Sequence, residues 1–181
     1  MRPAALIRGD SVIDTSTVRE LYQHMEWADA AVWTVVLARD TSRNDARLRD
    51  ILYHLHMVQR AFLRMWRNEP RDSPYPRFDD AHSLMCWARE YYGEATPYLE
   101  GLSDKTISKP MPVPWAEMVK QRFGRAPDLT SIGETALQVV MHSLHHRGQV
   151  NARLREVGGE PPLVDYIAWI WLGRPPVSWP L

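Results

Sequence analysis

Four long segments whose apolar residues recur every three or four positions limit the fold more than any other feature. An amphipathic helix has to cover its apolar stripe against a neighbouring element. No region shows the strict alternation that is typical of a half-buried strand. The pattern therefore predicts an all-α protein built as a four-helix bundle. The first three helices are expected at about 16–39, 45–68 and 79–102. The fourth is expected to begin at a cap formed by Thr130 or Ser131 and to end before Gly158.

The connections between these helices carry the proline-rich parts of the chain. Residues 103–129 contain four prolines and no long period, which predicts a long helix 3–helix 4 connection with a short helix at about 115–122. Such a connection indicates that these two helices are not joined as a tight hairpin. Pro97 is expected to kink or end the third helix near Thr96. A short C-terminal helix is expected at about 163–172.

The expected domain organisation is a single bundle domain at 16–174, with an N-terminal arm at 1–15 and a C-terminal tail at 175–181. A chain of 181 residues is long enough for one domain with its own core.

Charge and cysteine content narrow the class of function. The 22 basic residues balance the 22 acidic ones, which argues against a nucleic-acid partner bound through a basic surface. No apolar run approaches the roughly 18 residues of a spanning helix, and the N-terminal apolar run is too short for a signal peptide. We therefore expect a cytoplasmic protein with no membrane partner. Cys86 is the single cysteine, so an internal disulfide is excluded. Its position among apolar residues is more typical of a buried inert thiol than of a nucleophile.

The stretch MHSLHHRGQVNARL, residues 141–154, contains three histidines within five positions. Residues four apart on a helix have Cβ atoms about 5–6 Å from each other, so His142 and His146 can reach one metal ion. His145 and His146 point about 100° apart and cannot easily share an ion. Pairing of His142 with His145 is geometrically possible. On a helical wheel, however, His142 and His146 lie at the rim of the apolar arc, which includes Leu144, and His145 lies on the polar side. The structural alternative is a pair of histidines at the edge of the core.

A third ligand is available on the second helix, which carries His54 and His56. These two residues point about 160° apart, so at most one of them can face the same place. His54 is favoured as the inward-facing one because Ile51 and Val58 lie one turn away on either side. Both histidines flank the apolar stripe, and periodicity alone does not choose between them. The predicted stripe consists of Leu48, Ile51, Leu55, Val58, Phe62 and Met65.

Two known types of metal site are excluded by the sequence. A ferritin-like di-metal site needs Glu-x-x-His on two helices, and no predicted helix carries that motif. A zinc-protease site needs His-Glu-x-x-His, and Ser143 stands where the glutamate would be. A mononuclear all-histidine site is the metal hypothesis that is left.

Arg147 and Gly148 follow these histidines directly. Arg147 points into the apolar arc, where a guanidinium needs a partner. It either forms an ion pair across the bundle, with Asp29 or Asp50 for example, or grips a substrate anion beside the metal. Gly148 weakens the helix by up to ~1 kcal/mol relative to alanine, which suggests close approach of a neighbouring helix.

Three segments together resemble the DinB/YfiT-like metalloprotein superfamily. HSLHHRGQVNARLREVGGEPPLVDY resembles the fourth-helix signature of that superfamily, His-x3-His-Arg-Gly-Gln followed by Leu-Arg, Gly and Pro. LRDILYHLHMVQRAFL resembles its second helix in a register that selects His54, with Gln59 and Phe62 behind it. HMEWADAAVW resembles its first helix, with Asp29 in place of a frequent asparagine. The likeness covers about residues 16–170.

The resemblance implies a DinB-like four-helix bundle that binds a divalent metal ion through His54, His142 and His146, and a homodimer, as in many members. Zinc and nickel are the ions favoured and iron is a further candidate; three imidazoles do not choose among them. Some relatives are thiol-dependent transferases or isomerases, so a low-molecular-weight thiol is an expected cofactor. Arg147 and Arg60 are candidate contacts for a small-molecule substrate.

Three neutral imidazoles leave open positions on an ion, which is the layout of a catalytic site. The leading hypothesis is metal-dependent activation of a thiol, or of water, for transfer to a small electrophile. A hydrolase that uses metal-bound hydroxide is the second hypothesis. A metal-binding dimeric bundle without catalysis is the third.

Overall fold

The computed structural model describes residues 13–70, 73–112 and 115–181. The described part of the chain is mostly helical, as the periodicity predicts, and its two strands are two residues long each. Residues 1–12 of the expected N-terminal arm lie outside the described residues. The helices and strands are, in chain order, α1 (Thr15–Leu37), α2 (Asp40–Arg43), α3 (Ala46–Trp66), α4 (Ala81–Glu100), α5 (Asp104–Ile107), β1 (Pro110–Met111), α6 (Ala116–Phe123), β2 (Thr130–Ser131), α7 (Ile132–Glu156) and α8 (Tyr166–Trp171).

Side-chain caps set where the four long helices begin. Asp14, Asp45, Asp80 and Ser131 each accept a hydrogen bond from a backbone N–H in the first turn of the helix that follows. Such a cap satisfies one of the backbone donors that a helix N-terminus leaves unpaired. Ser131 was one of the two caps predicted for α7, and Gly158, with φ of +80°, follows its C-terminal end.

The long helices pack so that α4 and α7 each lie against both α1 and α3. The long connection after α4 makes this arrangement possible, because it carries the chain back to the start of α7. Within it, β1 pairs antiparallel with β2, so that Pro110 lies opposite Ser131 at the first turn of α7.

The third predicted helix, now α4, continues through Pro97 to Glu100 instead of ending near Thr96. Proline removes one backbone donor, whose acceptor would have been the carbonyl of Gly93. Gly93 is exposed, so its carbonyl can be solvated and the helix tolerates the proline in its last turn.

The buried face of α3 differs from the predicted stripe. Val58 and Phe62 are only partly buried, whereas His56 and Gln59 are completely buried. The apolar pattern predicts the wrong face because His56 and Gln59 are polar yet buried. Their side chains form hydrogen bonds with each other and with neighbouring buried side chains. On α7, Leu144 was expected in the apolar arc and is 58% exposed.

Gly148 does not mark the close helix contact expected from the sequence. It is exposed, and a Cβ built on it would meet no atom within 4 Å.

Candidate metal centre

The candidate centre lies where α3 and α7 pack together. His54 comes from α3, and His142 and His146 lie one turn apart on α7. Each offers one ring nitrogen, and these three atoms all lie within 4.8 Å of one another. His54 is exposed and the other two histidines are partly buried. The packing of two helices therefore brings the three histidines singled out in the sequence to one place.

Short polar contacts orient His142 and His146, the two members of the group that lie on α7. The Nε2 atoms of His142 and His146 are 3.1 Å apart. The side-chain oxygen of Gln149 lies 2.8 Å from Nδ1 of His146. Because a carboxamide oxygen only accepts, Nδ1 of His146 must donate, and the neutral ring keeps its lone pair on Nε2. Gln149 thus holds His146 in the tautomer that a metal ligand requires.

Gln149 also contacts the third histidine of the motif. Its side-chain N–H donates to Nε2 of His145, 3.0 Å away. His145 is exposed and does not belong to the convergent group. It lies beside His146, with ring centroids 5.0 Å apart. The helical wheel therefore separates the three histidines as the structure does.

The surroundings favour the uncharged form of His142 and His146. Burial, together with the neighbouring His146 and His54, lowers the pKa of His142 to about 4. Burial also lowers the pKa of His146, while the hydrogen bond that its Nδ1–H donates to Gln149 acts in the opposite direction. Imidazole has to be neutral to bind a metal. Both rings are consequently mostly in the binding form at pH 7.

The donor set fits a divalent transition-metal ion. Bonds of about 2.0–2.1 Å in a tetrahedral arrangement place ligand nitrogens about 3.3 Å apart. The 3.1 Å between the two Nε2 atoms is close to that value, and the third nitrogen lies within 4.8 Å. His54 is exposed, so one side of the centre faces solvent.

His56, the alternative to His54, belongs to the core. Its side chain is fully buried. Nε2 accepts a hydrogen bond from the indole N–H of Trp33 at 3.0 Å, and Nδ1 donates to the side-chain oxygen of Gln59 at 2.9 Å. The expectation that His54 faces inward was wrong. It is the outward-facing histidine that lies with His142 and His146.

Arg147 lies inside the bundle, paired with Asp29. The two side chains are each 2% exposed, and Nη1 of Arg147 lies 2.8 Å from Oδ1 of Asp29. The second carboxylate oxygen accepts hydrogen bonds from the hydroxyl of Tyr92 and the side-chain amide of Gln59. Burial opposes ionisation of Asp29, but Arg147 and these donors more than offset it, and the pKa of Asp29 is lowered. This geometry favours the structural interpretation of Arg147 over contact with a substrate.

The same buried network joins α3 to α7 directly. The side-chain N–H of Gln59 also lies 3.1 Å from the hydroxyl of Ser143, the residue that follows His142. Sequence reasoning singled out neither Ser143 nor Gln149 as a functional residue. Gln149 could have been recognised from the sequence, because its carboxamide lies about one helical turn after the candidate ligand His146.

Arg60, the second candidate substrate contact, is engaged between α3 and α4. Nη1 of Arg60 lies 3.0 Å from a carboxylate oxygen of Glu94, and Nη2 donates to the carbonyl of Trp87 at 2.7 Å. The guanidinium also covers the indole ring of Trp87. These contacts satisfy a side chain that is only 13% exposed, which favours a structural role for Arg60 as well.

Comparison with known proteins gives one finding. The model of the DinB family matches residues 13–175, which is most of the chain and includes all three convergent histidines. No curated protein matches. Among the described residues, no helix is long and apolar enough to cross a membrane.

Proposed function

This chain belongs to the DinB family, and we propose that it binds a divalent metal ion through His54, His142 and His146 and activates a thiol for transfer to a small electrophile. The observation that carries the proposal is the convergence of three ring nitrogens within 4.8 Å at an open edge of the bundle. Zinc or nickel is the proposed ion, since both accept imidazole ligands.

A divalent ion held by neutral ligands lowers the pKa of a thiol or water molecule that binds to it. The protein supplies the conditions for that chemistry. Gln149 fixes the tautomer of His146. Burial keeps His142 neutral. The exposed edge of His54 gives a small molecule access from solvent.

Metal analysis tests the centre. Purified protein and the variants His54→Ala, His142→Ala and His146→Ala are dialysed against zinc or nickel, and the bound metal is measured. We expect about one ion per chain in the unaltered protein and less in each variant. His82→Ala is the matched control, because His82 is an exposed helical histidine outside the group. Unchanged metal content in all three ligand variants would contradict the proposal.

Turnover assays then separate the chemistries. We expect a chromogenic electrophile to be consumed only when a low-molecular-weight thiol and the metal are both present. Ester turnover by the metal-loaded protein without any thiol would instead favour a hydrolase. Metal binding without turnover of either kind would leave a non-catalytic bundle. We further propose that the protein works in the cytoplasm, where small thiols are kept reduced.

We also propose that the protein forms a homodimer through the outer face of α7. Met141 and Leu144 are each more than half exposed on that face, and Gly148 follows one turn later with open space above it. A glycine at that place gives up helix stability but lets another helix come close. Leu144→Glu is expected to produce monomers in sedimentation measurements. A monomeric unaltered protein that Gly148→Ala stabilises by up to ~1 kcal/mol would refute the dimer.

A further inference from the structure

A cavity of about 470 Å³ opens beside the candidate metal centre. His54 lines it and is also one of the three convergent histidines. From His54 the cavity follows the outer face of α3 as far as Met65, a distance of about 16 Å at 1.5 Å per residue. Its volume lies in the range of small-molecule sites.

The walls of this cavity are apolar and aromatic. The side chains that decide its character are three methionines and three aromatic residues: Met57, Phe62, Met65, Tyr75, Trp115 and Met118. The ring of Phe62 lies against that of Trp115, with centroids 5.4 Å apart. A polar ligand placed among such groups would lose hydrogen bonds to water without replacement. Methionine side chains adapt to ligands of varied shape and contact aromatic rings favourably.

The one arginine of the lining is already engaged. The guanidinium of Arg64 covers the ring of Tyr75, 4.2 Å from its centroid, and donates to the carbonyl of Ser73 at 2.9 Å. Arg64 therefore holds the segment before α4, which includes Ser73 and Tyr75, against the cavity as one of its walls. This leaves His54 as the polar group at one end of the cavity and favours a ligand body without charge.

We propose that this cavity binds the apolar body of the substrate, an uncharged alkyl or aromatic group whose reactive end lies at His54. The inference rests on the proposed function and names its substrate class. The thiol or electrophile that binds here is apolar and not hydrophilic. Burial of each methylene group should strengthen binding about fourfold.

The test compares ethanethiol and hexanethiol, which differ by four methylene groups. The protein carries ¹³C-methyl methionine, and binding is followed by NMR in both the zinc-loaded and the metal-free forms. We expect hexanethiol to shift the methyl signals of Met57, Met65 and Met118 and to bind up to about 200-fold more tightly than ethanethiol. Met141, which is exposed on α7, is the internal control and should not shift.

A variant that fills the cavity gives a second test. Ala61 lines the cavity, and Ala61→Trp should abolish the advantage of hexanethiol without lowering the zinc content. Ala46→Trp, at an exposed position of α3 outside the cavity lining, is the matched control and should keep that advantage.

The outcomes distinguish this inference from the proposed function. Selective shifts of the three methionines in metal-free protein that takes up no zinc would support the cavity and contradict the metal proposal. Zinc binding through the histidines with equal affinity for both thiols would support the metal proposal and overturn the cavity. Equal shifts of Met141 and the cavity methionines, or cavity shifts that depend on protein concentration alone, would also overturn it.

Discussion

Replacement of Arg147 by methionine should destabilise the protein strongly. The substitution keeps much of the side-chain length but leaves the carboxylate of Asp29 buried without its cation. Both partners are 2% exposed and their contact is 2.8 Å. Removal of one partner from a buried pair costs about 3–5 kcal/mol, a large part of the 5–15 kcal/mol that stabilises a typical domain. Tyr92 and Gln59 still donate to Asp29, so we expect the lower half of that range.

A double variant isolates the charge. Asp29→Asn keeps an acceptor for Tyr92 and Gln59, and with Arg147→Met it removes both charges together. We expect the double variant to be about 2 kcal/mol more stable than Arg147→Met alone, because no uncompensated ion remains. The free energy of unfolding is measured by urea denaturation of metal-free protein at pH 7, followed by circular dichroism.

Arg153→Met is the control for this experiment. Arg153 also pairs with an aspartate from another part of the chain, Asp45, but its side chain is 27% exposed. A partly solvated pair contributes about 0–1 kcal/mol. The reasoning would be refuted if Arg147→Met cost no more than Arg153→Met, or if the double variant were no more stable than Arg147→Met alone.

Three further predictions concern the candidate centre and the helix that carries it. Gln149→Leu should weaken metal binding 10- to 100-fold, because it removes the acceptor for Nδ1 of His146; competition with a chelator measures this, and the exposed Gln138→Leu should have no effect. The metal-free protein should lose stability as the pH falls from about 6.5 towards 4, since the lowered pKa of His142 means that the unfolded chain binds more protons in that window. Thermal unfolding against pH checks this, and His142→Gln should flatten the profile; stability that rises on acidification would contradict it. Ser131→Ala should cost about 1 kcal/mol in urea unfolding, because the Ser131 hydroxyl caps α7; an unchanged midpoint would count against that role.

Much of the fold could be predicted because local signals and long-range packing agree. The capping residues before α3 and α7 and the glycine after α7 mark helix ends through short-range chemistry that is visible in the sequence. Pro97 is a case where the local rule fails, since solvent on that face of α4 compensates for the missing hydrogen bond. Helix order around the bundle depends on contacts between distant segments and could not be predicted from spacing.

In the candidate site, too, local features could be predicted and features that depend on distant contacts could not. The pair His142 and His146 follows from helical spacing, which is a local property. The orientation of His54 could not be predicted, because burial of His56 depends on partners from α1 and from Gln59 that no pattern in α3 reveals. Apolar periodicity identifies the core face only where that face is apolar. On α3 the buried polar residues displace the stripe, and the exposed histidine then takes part in the site.

The proposed ligands on α3 and α7 lie far apart in the chain, with His54 88 positions before His142. No short piece of the polypeptide can assemble the centre, so an ion that binds there would bind only the docked pair of helices. Any ligand selective for the folded state stabilises it by mass action, by about 2.7 kcal/mol at 100 times its dissociation constant. Metal supply would then govern how much folded protein a cell retains. Resistance to proteolysis in metal-depleted and metal-replete cells would report on the centre without an assay of catalysis.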